Sequence, residues 1–454
     1  MALVFVVGAG PAGMFAAQKI ALAGHETVIL NRDIKPGGLA EYGIYPEKDK
    51  MKSGLRKQFE KVLSLPNVHY YGHVPVGKDM PISIEFLRQF CPAALVFGVG
   101  AQGAKKLGLA GEEARGVYSA KDFVYFYNQL PPFASQDFSV GKKVAIVGMG
   151  NVMVDIARWL IVDAPDCGVE EVTVIARRGP LEAKFDEKEF DHIQMHLDRA
   201  AFRKELQRVK PAMEAVGQDA AKIPQETFVS LAKSPEKAAI SPRLTFHFLT
   251  SPSAIIAGPD GRIARLVLSE NDLVLRDGNI SAKATDRKME IDVDTLIFAI
   301  GDKHDPSLGL PYGSSGYVTN ASGTHAAASY EVFDHVQNSV CGGDFVVGWA
   351  RKPSDGLVGI ARHDGEVGAS HVIEYLQKAP AQNSASVPEF ESALKQKGIV
   401  FVPKADLRWL TAAEQAEAQK RSLQRYFFAD DDAMLKAIER ARAEAVGRAS
   451  SATT

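Results

Sequence analysis

Three observations predict an α/β chain of two Rossmann-like dinucleotide-binding domains, the second inserted into the first. A strand, glycine turn and helix open the chain at Leu3; a second copy begins at Val144; and apolar strands ending in small residues lie at positions 93–102 and 293–302. With 454 residues the chain can fill two or three domains, and 46% hydrophobic with 24% charged residues is an ordinary soluble composition. Its 53 Lys and Arg against 55 Asp and Glu leave a formal charge of −2, which disfavours a globally basic nucleic-acid binder. No uninterrupted apolar stretch reaches the ~18 residues of a membrane span, so no membrane insertion is expected.

The first unit reads Leu3-Val-Phe-Val-Val7, then Gly8-Ala-Gly10-Pro-Ala-Gly13, then an alanine-rich helix to Leu22 and a strand from Thr27 to Leu30. Its glycines meet the demands of a bound pyrophosphate: Gly8 for the tight turn, Gly10 for close approach of the backbone, Gly13 for packing of helix on strand. The helix N-terminus adds free N–H groups and the positive end of the helix dipole. At the end of the second strand, where an acid usually holds a ribose, stands Asn31, whose amide can also bond a hydroxyl.

The second copy runs Val144-Ala-Ile-Val147, then Gly148-Met-Gly150-Asn151-Val152-Met153, with Met153 at the third glycine position, so helix and strand are expected to pack less closely. Its next strand, Val172-Thr-Val-Ile175, leads to Arg177 and Arg178, where an NAD site keeps an acid. Two guanidiniums suit the dianionic 2′-phosphate of NADP. Two dinucleotide sites in one chain pair economically as a tightly held FAD and an exchangeable NADPH, with hydride transfer as the expected chemistry.

The apolar strands ending at Gly100 and Gly301 read as crossings between the domains. The expected organisation is therefore 1–104 for the first part of the FAD domain, 105–305 for the NADP domain and 306–380 for the second FAD part. Residues 381–454 form a C-terminal extension expected to pack on the FAD domain, with the small, polar tail Arg448 to Thr454 disordered. In the second FAD part, Gly348-Trp349 and Ser354-Asp355-Gly356-Leu357-Val358 precede a helical stretch that Ser354 or Asp355 can cap. Aimed at a flavin, that helix end stabilises the negative charge of the reduced ring, and Trp349 offers an aromatic wall.

Cys91, Cys167 and Cys341 lie far apart, with no metal-binding or disulfide spacing. A reducing compartment fits, and Met1 to Val7 carry no basic leader, so the cytoplasm is the expected location.

With Pro36-Gly-Gly38-Leu39, Tyr71 to Val76, Arg177-Arg178-Gly-Pro-Leu181, Phe246 to Pro252, and Gly348-Trp349 followed by Gly356-Leu357-Val358, nearly the whole chain resembles the adrenodoxin reductase type of ferredoxin:NADP reductase. That resemblance places it among the glutathione reductase-like flavoproteins. It implies FAD contacts at Gly8, Gly10, Gly13, Asn31, Gly38, Leu39, Val76, Trp349 and Gly356 to Val358. It implies NADP contacts at Gly148, Gly150, Asn151, Val152, Arg177, Arg178, Glu189 and Gly356. Asn31 departs from the family's acid, and Lys48 stands where the family places a histidine near the flavin.

The implied activity is NADPH:ferredoxin oxidoreduction, a hydride passing to FAD N5 and single electrons then leaving to a separate iron–sulfur protein. Glu189 is the candidate carboxylate at the nicotinamide carboxamide, expected to pair with Lys48. A docking patch for an acidic ferredoxin is expected either at Lys48, Lys50, Lys52, Arg56, Lys57 and Lys61, or at Arg203, Lys204, Arg208 and Lys210. The segment Gly37 to Ile44 is also similar to the small, flavin-bearing subunit of glutamate synthase, and an NADPH-dependent flavin monooxygenase could use the same two sites. A disulfide reductase would need a redox-active cysteine pair that the sequence lacks.

Overall fold

The computed structural model describes the chain except residues 234–239, 315, 322, 354–356, 381–382 and 452–454. It divides into two units, the first formed by Met1–Ala104, Tyr125–Ser135 and Asp302–Thr454, the second by Lys105–Val124 and Gln136–Gly301.

The first unit opens with β1 (Leu3–Val7), α1 (Pro11–Leu22), β2 (Glu26–Leu30), α2 (Asp49–Leu63), β3 (Val68–Gly72), β4 (Ala94–Phe97) and β5 (Gly103–Ala104). Every residue of β1 is buried, because parallel neighbours flank it and layers cover both faces. Helix α1 starts with Pro11 at its first position, where a missing N–H costs nothing, and stops before Gly24, whose φ of +90° ends the helical path.

The second unit contains β6 (Val117–Ser119), α3 (Ala120–Tyr127, which runs out into the first unit), β7 (Lys143–Val147), α4 (Asn151–Arg158), β8 (Glu171–Ile175), α5 (Arg199–Glu214) and β9 (Arg243–His247). They are followed by β10 (Thr250–Ala257), β11 (Ile263–Arg276), β12 (Asn279–Asp292) and β13 (Thr295–Phe298). A parallel five-stranded sheet has the order β6-β13-β7-β8-β9, and β10-β11-β12 form a separate antiparallel sheet. The long β11–β12 hairpin turns on Asp277 and Gly278, both at positive φ, which matches the twist of the strands it joins. Phe185, Phe190, Phe202, Phe228, Phe246 and Phe248 fill the space beside β9 with edge-on and stacked rings.

The chain then re-enters the first unit through β14 (Asp302–Lys303), which pairs antiparallel with β5, and continues as β15 (Glu331–Asp334), β16 (Ser339–Val346), α6 (Val358–Lys378), α7 (Val387–Gln396), β17 (Val402–Pro403), α8 (Leu407–Lys420) and α9 (Asp431–Ser451). The seven-stranded sheet has the order β15-β16-β4-β1-β2-β3-β17. Helix α6 lies backbone to backbone on α1: a Cβ at Gly365 would stand 2.3 Å from the Ala12 carbonyl oxygen. The C-terminal extension belongs to the first unit, where Leu410, Met434 and Ile438 enclose Ile34 and Val402.

Two boundaries differ from those expected. Residues 125–135 leave the second unit and join the first, where Tyr125 and Leu130 pack on Tyr42; residues 302–305 likewise belong to the first unit. Helix α9 runs to Ser451, and the last three positions of the tail expected to be disordered lie outside the described residues.

Candidate nucleotide sites

In the first unit the C-terminal ends of β1, β4 and β16 interlock through missing side chains. Gly8 has φ +102°, and a Cβ there would lie 2.6 Å from the Gly98 carbonyl oxygen; a Cβ at Gly13 would lie 1.9 Å from that of Gly8. The crossing strand is thus clamped onto the turn by contacts that tolerate only glycine. Gly10, the N-cap of α1, differs: a Cβ on it would meet nothing within 4 Å, and no side chain caps the helix. Uncapped N–H groups facing open space are what a pyrophosphate requires. Gly38, at φ +50°, backs this surface, since its Cβ would stand 3.1 Å from the Gly10 Cα.

Asn31 is buried and bonds the protein's own backbone. Its Oδ1 accepts the Ala9 N–H at 3.0 Å, and its Nδ2 donates to the carbonyls of Asp33 at 2.8 Å and Lys35 at 2.9 Å. A carboxylate could not donate those last two bonds, which accounts for the amide at this position. Beside it Arg32 is exposed, bonded to the Asp33 carboxylate at 2.9 Å and to Gln102 Oε1 at 3.1 Å.

Trp349 is half-buried in a tight turn, Gly348–Ala350, at the end of β16. His304, almost fully buried, bonds the Trp349 carbonyl through Nε2 at 2.8 Å, while its Nδ1 accepts the Tyr317 N–H at 3.3 Å. Burial lowers its pKa, so the ring is neutral with the proton on Nε2. Asp364 of α6 accepts the Gly348 N–H at 2.6 Å and pairs with Arg351, tying the turn to the helix. Leu357 is the exposed N-cap of α6 and Val358 its first residue, whereas Gly356, with Ser354 and Asp355, lies outside the described residues. Leu39 packs beside Tyr42, Val76 makes a bridge with Ile82, and Lys48 is the N-cap of α2.

The second unit repeats the turn with different atoms. Gly148 has φ +124°, and its Cβ would lie 2.2 Å from the Ala299 carbonyl oxygen; a Cβ on Gly150, the N-cap of the uncapped α4, would meet nothing within 4 Å. Met153, wholly buried, replaces the third glycine. Asn151 accepts the Asp186 N–H at 2.7 Å, fixing the loop that leads to the short helix Glu187–Phe190, where Glu189 is half-buried. Val152 is exposed. Arg177 is exposed and Arg178 partly so, and among the described residues neither guanidinium has an ion-pair or hydrogen-bond partner. Glu189 and Lys48, expected to pair, belong to different units.

Residues 3–223 match a family described as pyridine nucleotide-disulphide oxidoreductase. NADPH-ferredoxin reductase FprA of Mycobacterium leprae is 29% identical over 408 residues, covering 82% of this chain and 84% of the relative. The mitochondrial NADPH:adrenodoxin oxidoreductase of Bos taurus is 27% identical over 477 residues, covering 95% and 91%. Over most of its length the chain is similar to NADPH-ferredoxin and NADPH:adrenodoxin reductases. Its fold superposes on a histidine-to-glutamine variant of FprA from Mycobacterium tuberculosis with a TM-score of 0.79 at 26% identity, covering 97% and 99% of the two chains. FprA in complex with NADPH gives 0.77 at 25% identity over the same shares.

The three cysteines form no disulfide, with Cys167 in the second unit and Cys91 and Cys341 in the first. The basic run on α2 also needs correction. Lys52 is buried and donates to Asn128 Oδ1 at 2.7 Å, and burial pushes its pKa down to about 8. Arg56 bonds the buried Glu41 at 2.7 Å, holding that carboxyl below its usual range against the opposing effect of burial. Of that run, Lys50, Lys57 and Lys61 are exposed. In the alternative group Arg208 is bidentate on Glu205, at 2.7 and 2.8 Å, so it too serves the interior. Sequence reasoning missed Asn128, Glu41 and His304, because each acts through a partner distant in the chain. No helix among the described residues is long and apolar enough to cross a membrane.

Proposed function

We infer that the chain is an NADPH-dependent FAD oxidoreductase that passes electrons to a ferredoxin-type iron–sulfur protein. One observation carries this reading: two open, uncapped glycine-turn helices occur in one chain, and only the second is followed at the next strand end by an unpartnered pair of arginines. The first turn fits FAD, with the backbone at Gly8 to Gly13 and Gly38 receiving the pyrophosphate. Trp349 and the N-terminal residues Leu357 and Val358 of α6 are assigned to the flavin ring, with Leu39 and Val76 along the remainder of the cofactor. The second turn fits NADP, with Gly148, Gly150, Asn151 and Val152 at the pyrophosphate and Arg177 and Arg178 at the 2′-phosphate.

When bound, a flavin accepts a hydride and releases single electrons, the conversion that a nicotinamide donor and an iron–sulfur acceptor require. The chain orients the two nucleotides and supplies no nucleophile. His304, neutral and fixed between two backbone groups, holds the Trp349 turn in place, and Asp364 holds Gly348 from the opposite side. Glu189 and Lys48 are assigned to the nicotinamide and flavin ends respectively. Docking of an acidic partner is assigned to Lys50, Lys57 and Lys61, and the cytoplasm is the proposed location, where thiols stay reduced.

The test is direct. Purified protein should be yellow, bleach when NADPH is added without oxygen, and then reduce a bacterial ferredoxin stoichiometrically. Colourless protein, or flavin that NADPH leaves oxidised, would overturn the reading, and NADPH consumption coupled to hydroxylation of an organic substrate would replace it with a monooxygenase.

A further inference from the structure

The arginines at the end of β8 project from a short link, Ala176 to Gly179, that has no regular secondary structure of its own. Three backbone bonds pin that link to the end of β9 and the chain that follows it. The Ala176 N–H donates to the His247 carbonyl at 2.9 Å, the Thr250 N–H to the Ala176 carbonyl at 3.1 Å, and the Leu249 N–H to the Arg178 carbonyl at 3.2 Å. Leu249 itself sits at φ +50°, a conformation that L side chains adopt rarely.

A fourth bond comes from the other sheet. Asn271 is 4% exposed and follows the irregularity at Ser269 where β11 shifts register on β12. Its Nδ2 donates to the Arg177 carbonyl at 3.0 Å and to Ser251 Oγ at 2.9 Å, while its own N–H donates to the Leu249 carbonyl at 2.8 Å. Asn271 therefore holds the arginine link through its side chain and the strained Leu249 through its backbone N–H. A buried polar side chain is retained at a cost unless its bonds are made, and here one of the two goes to the backbone of Arg177, the first of the residues proposed to read the 2′-phosphate, while Leu249, held by the Asn271 backbone, bonds that of Arg178.

We propose that Asn271 is a positioning residue for cofactor choice, fixing the backbone from which Arg177 and Arg178 reach a 2′-phosphate. This rests on the NADP reading of the second unit. Among the described residues the guanidiniums have no carboxylate partners to hold them, so their aim is set by the main chain they leave from. Loosening that main chain spreads the two charges over more conformations and weakens a bidentate contact more than it weakens stacking or pyrophosphate binding.

The experiment measures, by calorimetry on the flavin-loaded full chain, the affinities of adenosine 2′,5′-bisphosphate and of AMP, which lacks the 2′-phosphate. Asn271→Ala should weaken the bisphosphate about fivefold, the worth of one net hydrogen bond, and leave AMP unchanged. Asn271→Asp, nearly isosteric and so the safer variant for folding, sets an acceptor against the Arg177 carbonyl and should weaken the bisphosphate further. Asn271→Ser, which keeps a donor hydroxyl, should recover part of the difference. An unchanged ratio of the two affinities in the Ala and Asp variants, or an equal loss for both ligands, would overturn the proposal. If Arg177→Ala with Arg178→Ala also leaves the ratio unchanged, the NADP reading fails rather than the role of Asn271.

Discussion

The two glycine turns start from nearly the same sequence and are closed by different means. In the first unit Gly13 faces the Gly8 carbonyl and Gly98 faces the Gly13 backbone, so three glycines interlock and leave no room for any side chain. In the second, Ala299 takes the place of Gly98 and the wholly buried Met153 that of Gly13. Close approach of backbones and a packed thioether are alternative ways to fix a helix N-terminus. The first admits no substitution, while the second depends on the volume of one flexible residue. A tightly held cofactor suits the first and an exchangeable one the second.

The sharpest way to break the comparison is Gly13→Val. With backbone 1.9 Å from the Cβ position, the turn and α1 cannot both keep their places, and the expected result is insoluble or flavin-free protein. The matching change, Met153→Ala, removes buried volume without a clash. It should cost about 2–5 kcal/mol in chemical denaturation and leave flavin content intact. Equal outcomes for the two variants would show that the turns are closed alike.

Next in size is the arginine pair that distinguishes the second site. Arg177→Ala with Arg178→Ala removes charge-assisted bonds worth about 1.5–3 kcal/mol each, so the preference for NADPH over NADH in flavin reduction should fall on the order of a hundredfold. An unchanged ratio of rates rules the assignment out.

A smaller effect separates exposed from internal charge on α2. Lys50, Lys57 and Lys61 reversed to Glu together should raise the apparent KM for ferredoxin several-fold at low salt and converge with wild type as salt is added, because exposed charges are screened over about 8–10 Å. Ferricyanide reduction should hold. Arg56→Glu, which sets two carboxylates together at Glu41, should instead lower thermal stability and both activities.

The smallest effect is a pH dependence. The Lys52 ammonium is depressed in the fold to about 8 from an ordinary 10.5, so the unfolded chain binds more protons between those values. Its contribution to stability is complete above about 10.5 and is lost as pH falls through about 8. Wild type should therefore gain on Lys52→Met in urea midpoint between pH 7.5 and 9.5. A constant difference would show that the amine is not buried against its charge.

Each of these tests separates what local sequence dictates from what distant contacts decide. The glycine spacing, the strand–turn–helix order and the Arg177-Arg178 pair were legible because each works over a few adjacent residues. A turn needs φ near +100° at one position, and a helix end needs uncapped N–H groups, whatever the remainder of the chain does. The same reading set Lys52 and Arg56 among the charges of a docking face, and the fold turns both toward buried partners. The roles of these residues are set by partners up to 76 positions away, such as Asn128 for Lys52, which the tertiary fold alone brings into reach. Side-chain type reports which bonds a residue can make. Whether those bonds go to a ligand, to solvent or to the protein's own backbone depends on what is packed within about 3 Å of it, and in this chain only the assembled units settle that.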